Sequence, residues 1–220
     1  MNKTDWPYNS AMPIAAPGLK FIITSITIAV LLFLLGWTIL GCFALFITVF
    51  ICWFFRDPER AVPDSMNCLV SPADGKIIVV EEMLNNDFTH QACIKVSIFM
   101  NVFNVHVNRI PFKGVVENII YVQGKFINAS FDKASEHNER NALVIRTDSG
   151  LLYGVVQIAG LIARRIISNV DIGDSVERGS RYGMICFGSR LDLYLPSDSK
   201  IAVANGQKVE AGTTIIAYLN

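Results

Sequence analysis

The pattern of apolar and polar positions divides the chain in two. From Phe21 to Phe55 there is no charged residue, and beyond that the apolar positions come in short runs broken by Gly, Asn and Asp. As one helix the uncharged stretch would be about 52 Å long at 1.5 Å per residue. A bilayer core is only about 30 Å thick and needs about 20 residues per span. One helix is therefore too long and two full spans do not quite fit. Gly36 and Gly41 sit mid-stretch, where a break costs least. The pattern predicts a closely packed helical hairpin over 21–55 that enters the membrane, with a full crossing left open. Lys20 on one flank and Arg56 and Arg60 on the other place both ends on the cytoplasmic side of the cell membrane. Residues 1–20, with Pro7, Pro13, Pro17 and Gly18, read as an irregular lead-in. A signal peptide is disfavoured, because the apolar core is too long and lacks a small-residue cleavage site.

After the helix-stopping Pro58, residues 56–220 read as one β-rich domain facing the cytoplasm, so the fold class is mainly β (α+β) with an N-terminal helical membrane segment. Strands are predicted over Lys76–Glu81, Ala92–Phe99, Val115–Val122, Leu143–Thr147 and Leu151–Ile158. Asp148-Ser-Gly150 reads as a hairpin turn, and 126–141 as a polar loop suited to a site. Alternation through Ser97–Pro111 sets Val102, Asn104, His106 and Asn108 on one strand face. Further on, Gly173-Asp-Ser-Val176-Glu-Arg-Gly179 is echoed by Gly206-Gln-Lys-Val209-Glu-Ala-Gly212, 33 residues later. Such paired turns occur in lipoyl- and biotinyl-type barrel-sandwich folds. Asp132-Lys133-Ala134 spells a lipoyl-attachment tripeptide, but it precedes both turns instead of lying between them.

Composition narrows the chemistry. Hydrophobic residues make up 52% of the chain and net charge is zero, so no surface for nucleic acid is implied. The five cysteines (Cys42, Cys52, Cys68, Cys93 and Cys186) show no CxxC spacing and read as reduced apolar residues, not as a disulfide framework or a metal site. Asn128-Ala-Ser130 fits a glycosylation sequon, which a cytosol-facing domain would not use.

Of three histidines, His90 lies in a polar turn, His137 in the loop before Asn138-Glu-Arg140, and His106 in the apolar run. Taken singly, His106 reads as a core histidine, Asp74 as a turn residue, and the Gly188-Ser189 pair as a turn. Together they read differently. Phe54-Phe-Arg-Asp-Pro-Glu-Arg60, Ser71-Pro-Ala-Asp-Gly75, Asn104-Val-His-Val-Asn-Arg109, Asn138-Glu-Arg140, Ala159-Gly-Leu-Ile-Ala-Arg-Arg-Ile166 and Phe187-Gly-Ser-Arg190 follow one another along the chain. In kind and order they resemble the motifs of the short-form phosphatidylserine decarboxylases.

The resemblance implies a chain that cuts itself between Gly188 and Ser189 and converts Ser189 into a pyruvoyl group. That group then serves as electron sink for decarboxylating phosphatidylserine to phosphatidylethanolamine, with no pyridoxal phosphate and no metal. It implies a triad: Ser189 as nucleophile, His106 as general base and acid, and Asp74 orienting His106. The chemistry is sound, since a serine hydroxyl needs a positioned base and the base needs a fixed tautomer. The products would be a long β chain ending at Gly188 and a short α chain starting at 189, paired as a heterodimer; association of further copies stays open. Arg164, Arg165, His137 and Asn138 are the candidates for holding the lipid, and adjacent Arg164 and Arg165 would face opposite ways on a strand. Longer relatives carry a second histidine where this chain has Phe103, so no role of that residue carries over. They also read Leu-Gly-Ser-Thr where this chain reads Phe-Gly-Ser-Arg. Two other readings stay open: a Ser-His-Asp lipid hydrolase that leaves its chain intact, lacking however a Gly-x-Ser-x-Gly elbow, and a membrane-anchored lipoyl-like carrier.

Overall fold

A computed structural model describes residues 13–129, 137–161, 165–186 and 188–220. Asp132-Lys133-Ala134, Ser130 of the sequon, Arg164, Phe187 and most of the lead-in lie outside these residues. The chain separates into two compact units, Met1–Glu59 and Arg60–Asn220.

The first unit contains α1 (Ala16–Leu34) and α2 (Thr38–Phe54). Helix α1 starts earlier than the sequence pattern predicts, inside the supposed lead-in, because Pro17 falls in the first turn, where its missing N–H costs nothing. The helices bury mainly small residues, Gly18, Ser25 and Ala29 on α1 and Gly41, Ala44 and Thr48 on α2, together with Ile22 and Phe54. Ser25 Oγ and Thr48 Oγ1 are 2.7 Å apart and share a hydrogen bond. The large apolar side chains point outward instead: Leu34 is 78% exposed, Ile39 87% and Phe46 69%. Backbone bonds from Ala15 N to Phe55 O (2.8 Å) and from Asp57 N to Pro13 O (2.7 Å) hold the two outer ends together. By length and composition α1, at 19 residues, is apolar enough to cross a membrane, whereas α2 has 17 residues.

The second unit is β throughout its described residues: β1 (Cys68–Val70), β2 (Gly75–Met83), β3 (Cys93–Met100), β4 (Val107–Arg109), β5 (Gly114–Val122), β6 (Arg140–Arg146), β7 (Leu152–Ile158), β8 (Ile166–Ser168), β9 (Ser175–Val176), β10 (Arg181–Ile185), β11 (Ser189–Pro196), β12 (Lys200–Ile201), β13 (Lys208–Val209) and β14 (Ile215–Tyr218). An eight-stranded sheet runs β13-β2-β3-β11-β7-β6-β5-β9, beside two three-stranded sheets, β1-β14-β12 and β4-β10-β8. Its apolar face, with Ile98, Leu143, Val155, Leu191 and Leu193, builds the main core.

The echo between residues 173–179 and 206–212 corresponds to two matching halves. Strand β13 pairs with the start of β2, and β9 with the start of β5. Ile77 N donates to Gln207 O and Val116 N to Asp174 O, both at 2.9 Å. Gly212 N donates to Ser71 O (2.8 Å) as Gly179 N does to Ile110 O (2.7 Å). The halves also exchange bonds at their seam, Val70 N to Pro111 O and Arg109 N to Pro72 O, each 2.9 Å. Ladder irregularities recur at corresponding points, Ile77/Val79 and Val116/Asn118.

One predicted strand is not continuous. Between β3 and β4 the chain leaves the ladder at Asn101: Asn101 N donates to Asn104 Oδ1 and Phe103 N to Asn101 Oδ1, both at 2.9 Å. These side-chain acceptors replace ladder partners and fold 101–104 into a turn. The face shared by Val102, Asn104, His106 and Asn108 therefore does not form, although His106 and Asn108 are fully buried.

Candidate active site

The start of β2, the end of β3, the start of β6, the end of β7 and the start of β11 lie at one end of the large sheet. Lys76 and Arg190 both lie opposite Phe99, so Gly75, Met100 and Ser189 fall in one row across β2, β3 and β11. Asp74 is one residue beyond that row, and His106 follows β3 through the Asn101 turn. The sheet thus gathers Asp74, His106 and the Gly188-Ser189 pair at its end.

Ser189 opens β11 opposite Met100 and is fully buried, and its Oγ has no hydrogen-bond partner among the described residues. A buried hydroxyl without a partner is costly for stability and invites a functional explanation. Gly188 has φ +55, a left-handed backbone that few side chains tolerate. Its carbonyl oxygen lies where a Cβ on Gly160 would stand, only 1.9 Å from it. Gly160, the first glycine after β7, is therefore needed for this carbonyl to sit where it does.

His106 is joined to the strand leading to the Gly188-Ser189 pair: Ile185 N lies 3.4 Å from His106 O, and Met184 pairs with Val107. Its Nδ1 is 2.9 Å from the carbonyl oxygen of Asn104. A carbonyl only accepts, so in the neutral ring Nδ1 carries the hydrogen and Nε2 is the basic nitrogen. The Asn101 turn, which breaks the predicted strand, thereby sets the tautomer. Asp74 Oδ1 accepts from Ala211 N (2.8 Å), and Oδ2 from Arg60 Nη2 (2.9 Å). Ala211 belongs to the second of the two repeated turns, so the repeat helps to hold this carboxylate.

The other predicted residues are dispersed. Asn138 is fully buried; its amide donates to Ile127 O (2.8 Å) and Ala159 O (2.7 Å) and accepts from Ile127 N (3.0 Å). It pins the loop beside Gly160. His137 and Arg165 are exposed, and Arg165 precedes β8 instead of lying on a strand. His90 is in a turn at φ 54, its amide bonded to Asn86 O. All five cysteines are free.

Two buried polar groups lie outside the motif roles. Asn141, Gln157 and Asn108, all fully buried, form a chain: Asn141 Nδ2 to Gln157 Oε1 (3.3 Å), Gln157 Nε2 to Asn108 Oδ1 (2.9 Å), and Asn108 Nδ2 to Met100 Sδ (3.8 Å). Amides inside apolar runs were the signal for it. Arg190 alternates to the face opposite Ser189, fully buried, where Nε donates to Asp192 Oδ1 (2.6 Å) and Nη2 to Ser97 Oγ (2.7 Å). The charges of Arg190 and Asp192, two apart in a strand, were its signal.

Residues 47–217 match the family model of phosphatidylserine decarboxylase. The chain is 50% identical over 200 residues to the phosphatidylserine decarboxylase proenzyme of Syntrophus aciditrophicus (strain SB), covering 90% of this chain and 94% of the other. It is 47% identical over 208 residues to the proenzyme of that name from Desulfotalea psychrophila, covering 94% and 97%. The corresponding proenzyme of Geotalea uraniireducens is 46% identical over 211 residues, covering 96% and 99%. The chain belongs to the phosphatidylserine decarboxylase family.

Proposed function

We propose that this chain is a membrane-attached phosphatidylserine decarboxylase that makes its own pyruvoyl group at Ser189. It releases carbon dioxide from phosphatidylserine and yields phosphatidylethanolamine. The observation that carries the self-processing is the Gly188-Ser189 pair: a left-handed glycine, its carbonyl in the space left by Gly160, followed by a buried hydroxyl with no hydrogen-bond partner among the described residues.

In that reading Ser189 Oγ adds to the Gly188 carbonyl carbon and its proton passes to Nε2 of His106. The Asn104 carbonyl on Nδ1 orients the ring, and the negative charge of Asp74 favours its charged form. The C–N bond then breaks, the nitrogen of residue 189 takes the proton, and an ester replaces the peptide bond. Loss of the Cα proton of residue 189 expels the Gly188 carboxylate and leaves dehydroalanine. After tautomerisation, water releases ammonia and leaves the pyruvoyl carbonyl. When formed, that group supplies an electron sink for the departing carboxylate of the substrate. His106 returns a proton at the carbon that loses carbon dioxide. Exposed Arg165, together with Arg164 and His137, is assigned to the lipid head group, while Asn138 holds the adjoining loop.

The matched halves of the second unit support a barrel-sandwich, lipoyl-like fold. The outward apolar faces of α1 and α2 support burial in the bilayer, and the basic flanks Lys20 and Arg56 support a cytoplasmic orientation. The two fragments stay together, because β11 lies between β3 and β7 of the longer one.

Intact-mass analysis tests this reading. Wild-type protein should separate into a fragment ending at Gly188 and one starting at 189 that resists Edman degradation and reacts with phenylhydrazine. Ser189→Ala should stay at full length without activity. A free serine amine at position 189 in active enzyme would remove the electron sink and refute the mechanism.

A further inference from the structure

The segment that leads from the helices into the second unit is strapped across both repeated turns. Val62 packs against the first: a Cβ on Gly179 would lie 2.3 Å from its Cγ2. Arg178 of the same turn donates to three carbonyls of the strap, Pro63 (2.9 Å), Ser65 (2.8 Å) and Cys68 (3.0 Å). Arg60, six residues past the end of α2, reaches the second turn. There its Nη1 donates to Glu210 Oε2 (2.8 Å) and its Nη2 to Asp74 Oδ2 (2.9 Å).

These two contacts differ in environment. The Glu210 side chain is 63% exposed, so its pair with Arg60 is well screened. The Arg60 and Asp74 side chains are 16% and 12% exposed, and there a charge-assisted bond is stronger. With Ala211 N on Oδ1 and Arg60 on Oδ2, one fixed donor holds each oxygen and the carboxylate plane is pinned. We infer that Arg60 is a positioning residue for self-cleavage, carried by the strap to hold Asp74 toward its work on His106. This rests on the assignment of Asp74 to the triad.

The test uses the full-length chain in detergent and follows the half-time of cleavage. Arg60→Gln should slow cleavage by about ten- to a hundredfold, the range expected for losing a hydrogen bond to a charged group. Arg60→Lys should recover part of the rate, and low concentrations of guanidinium ion should restore Arg60→Ala. Glu210→Gln should stay within about twofold of wild type, as expected for an exposed pair. Melting points of the same changes in the uncuttable Ser189→Ala chain provide the folding control. Wild-type cleavage in Arg60→Gln, with Asp74→Asn uncut, would overturn the inference and leave the triad standing. Normal cleavage in Asp74→Asn would overturn the triad assignment itself. Slow cleavage that tracks lost melting temperature and is not rescued by lysine or guanidinium would reduce Arg60 to a structural residue and also overturn the inference.

Discussion

Gly160 shows how a residue without functional atoms can decide where a backbone carbonyl sits. Adding one methyl there would place a carbon 1.9 Å from the Gly188 carbonyl oxygen, so the reacting bond must move. Overpacking of this kind costs about 1–3 kcal/mol, which a folded domain survives. Gly160→Ala should keep its β-sheet signal by circular dichroism while cleavage at Gly188 slows by at least tenfold on a gel time course. Cleavage at the wild-type rate would mean that the carbonyl is not held where this geometry has it during reaction. Gly160 stands in the Ala159-Gly-Leu motif, but only the folded chain brings it against residue 188.

The α1–α2 pair inverts the usual arrangement of a soluble protein, with mostly glycine, serine, alanine and threonine inside and most of its leucine, isoleucine and phenylalanine side chains outside, Ile22 and Phe54 excepted. Apolar burial in lipid is not screened by salt. The protein should therefore stay in the membrane fraction through high-salt and carbonate washes, and release by salt alone would refute the embedding. Deleting residues 1–55 leaves Arg60 and the strap intact. The truncated chain should be soluble and still cleave itself; failure to cleave despite a folded β unit would show that the helices are needed for processing.

The β unit holds three buried tyrosines in their neutral form. Burial pushes the hydroxyls of Tyr153, Tyr182 and Tyr194 well above their ordinary range, and Tyr153 donates to the carbonyl of Phe112. Above pH 10 the unfolded chain loses these protons while the folded chain keeps them. The stability is thus fully present below pH 10 and declines as pH rises beyond it, by about 1.4 kcal/mol per pH unit for each tyrosine. Urea midpoints of the Ser189→Ala chain at pH 8, 9 and 11 should be level over the first interval and fall over the second. A midpoint unchanged at pH 11 would mean that these hydroxyls ionise in the folded state.

Local pattern along the chain was enough to find the apolar helical stretch, most strand positions and the family motifs. Those depend on local periodicity, on turn residues such as Asp148-Ser-Gly150, and on residue types whose chemistry is their own. It missed the Asn101 turn because alternation counts apolar positions and does not see an asparagine side chain substituting for a ladder partner. It placed the start of α1 too late because a proline reads as a breaker until its position in the first turn is known. The tautomer of His106, the Arg60 bond to Asp74, the approach of Gly160 to Gly188 and the burial of Arg190 beside Asp192 were decided only in the tertiary structure. Each joins groups through space, by hydrogen bonds and contact distances that no linear spacing encodes.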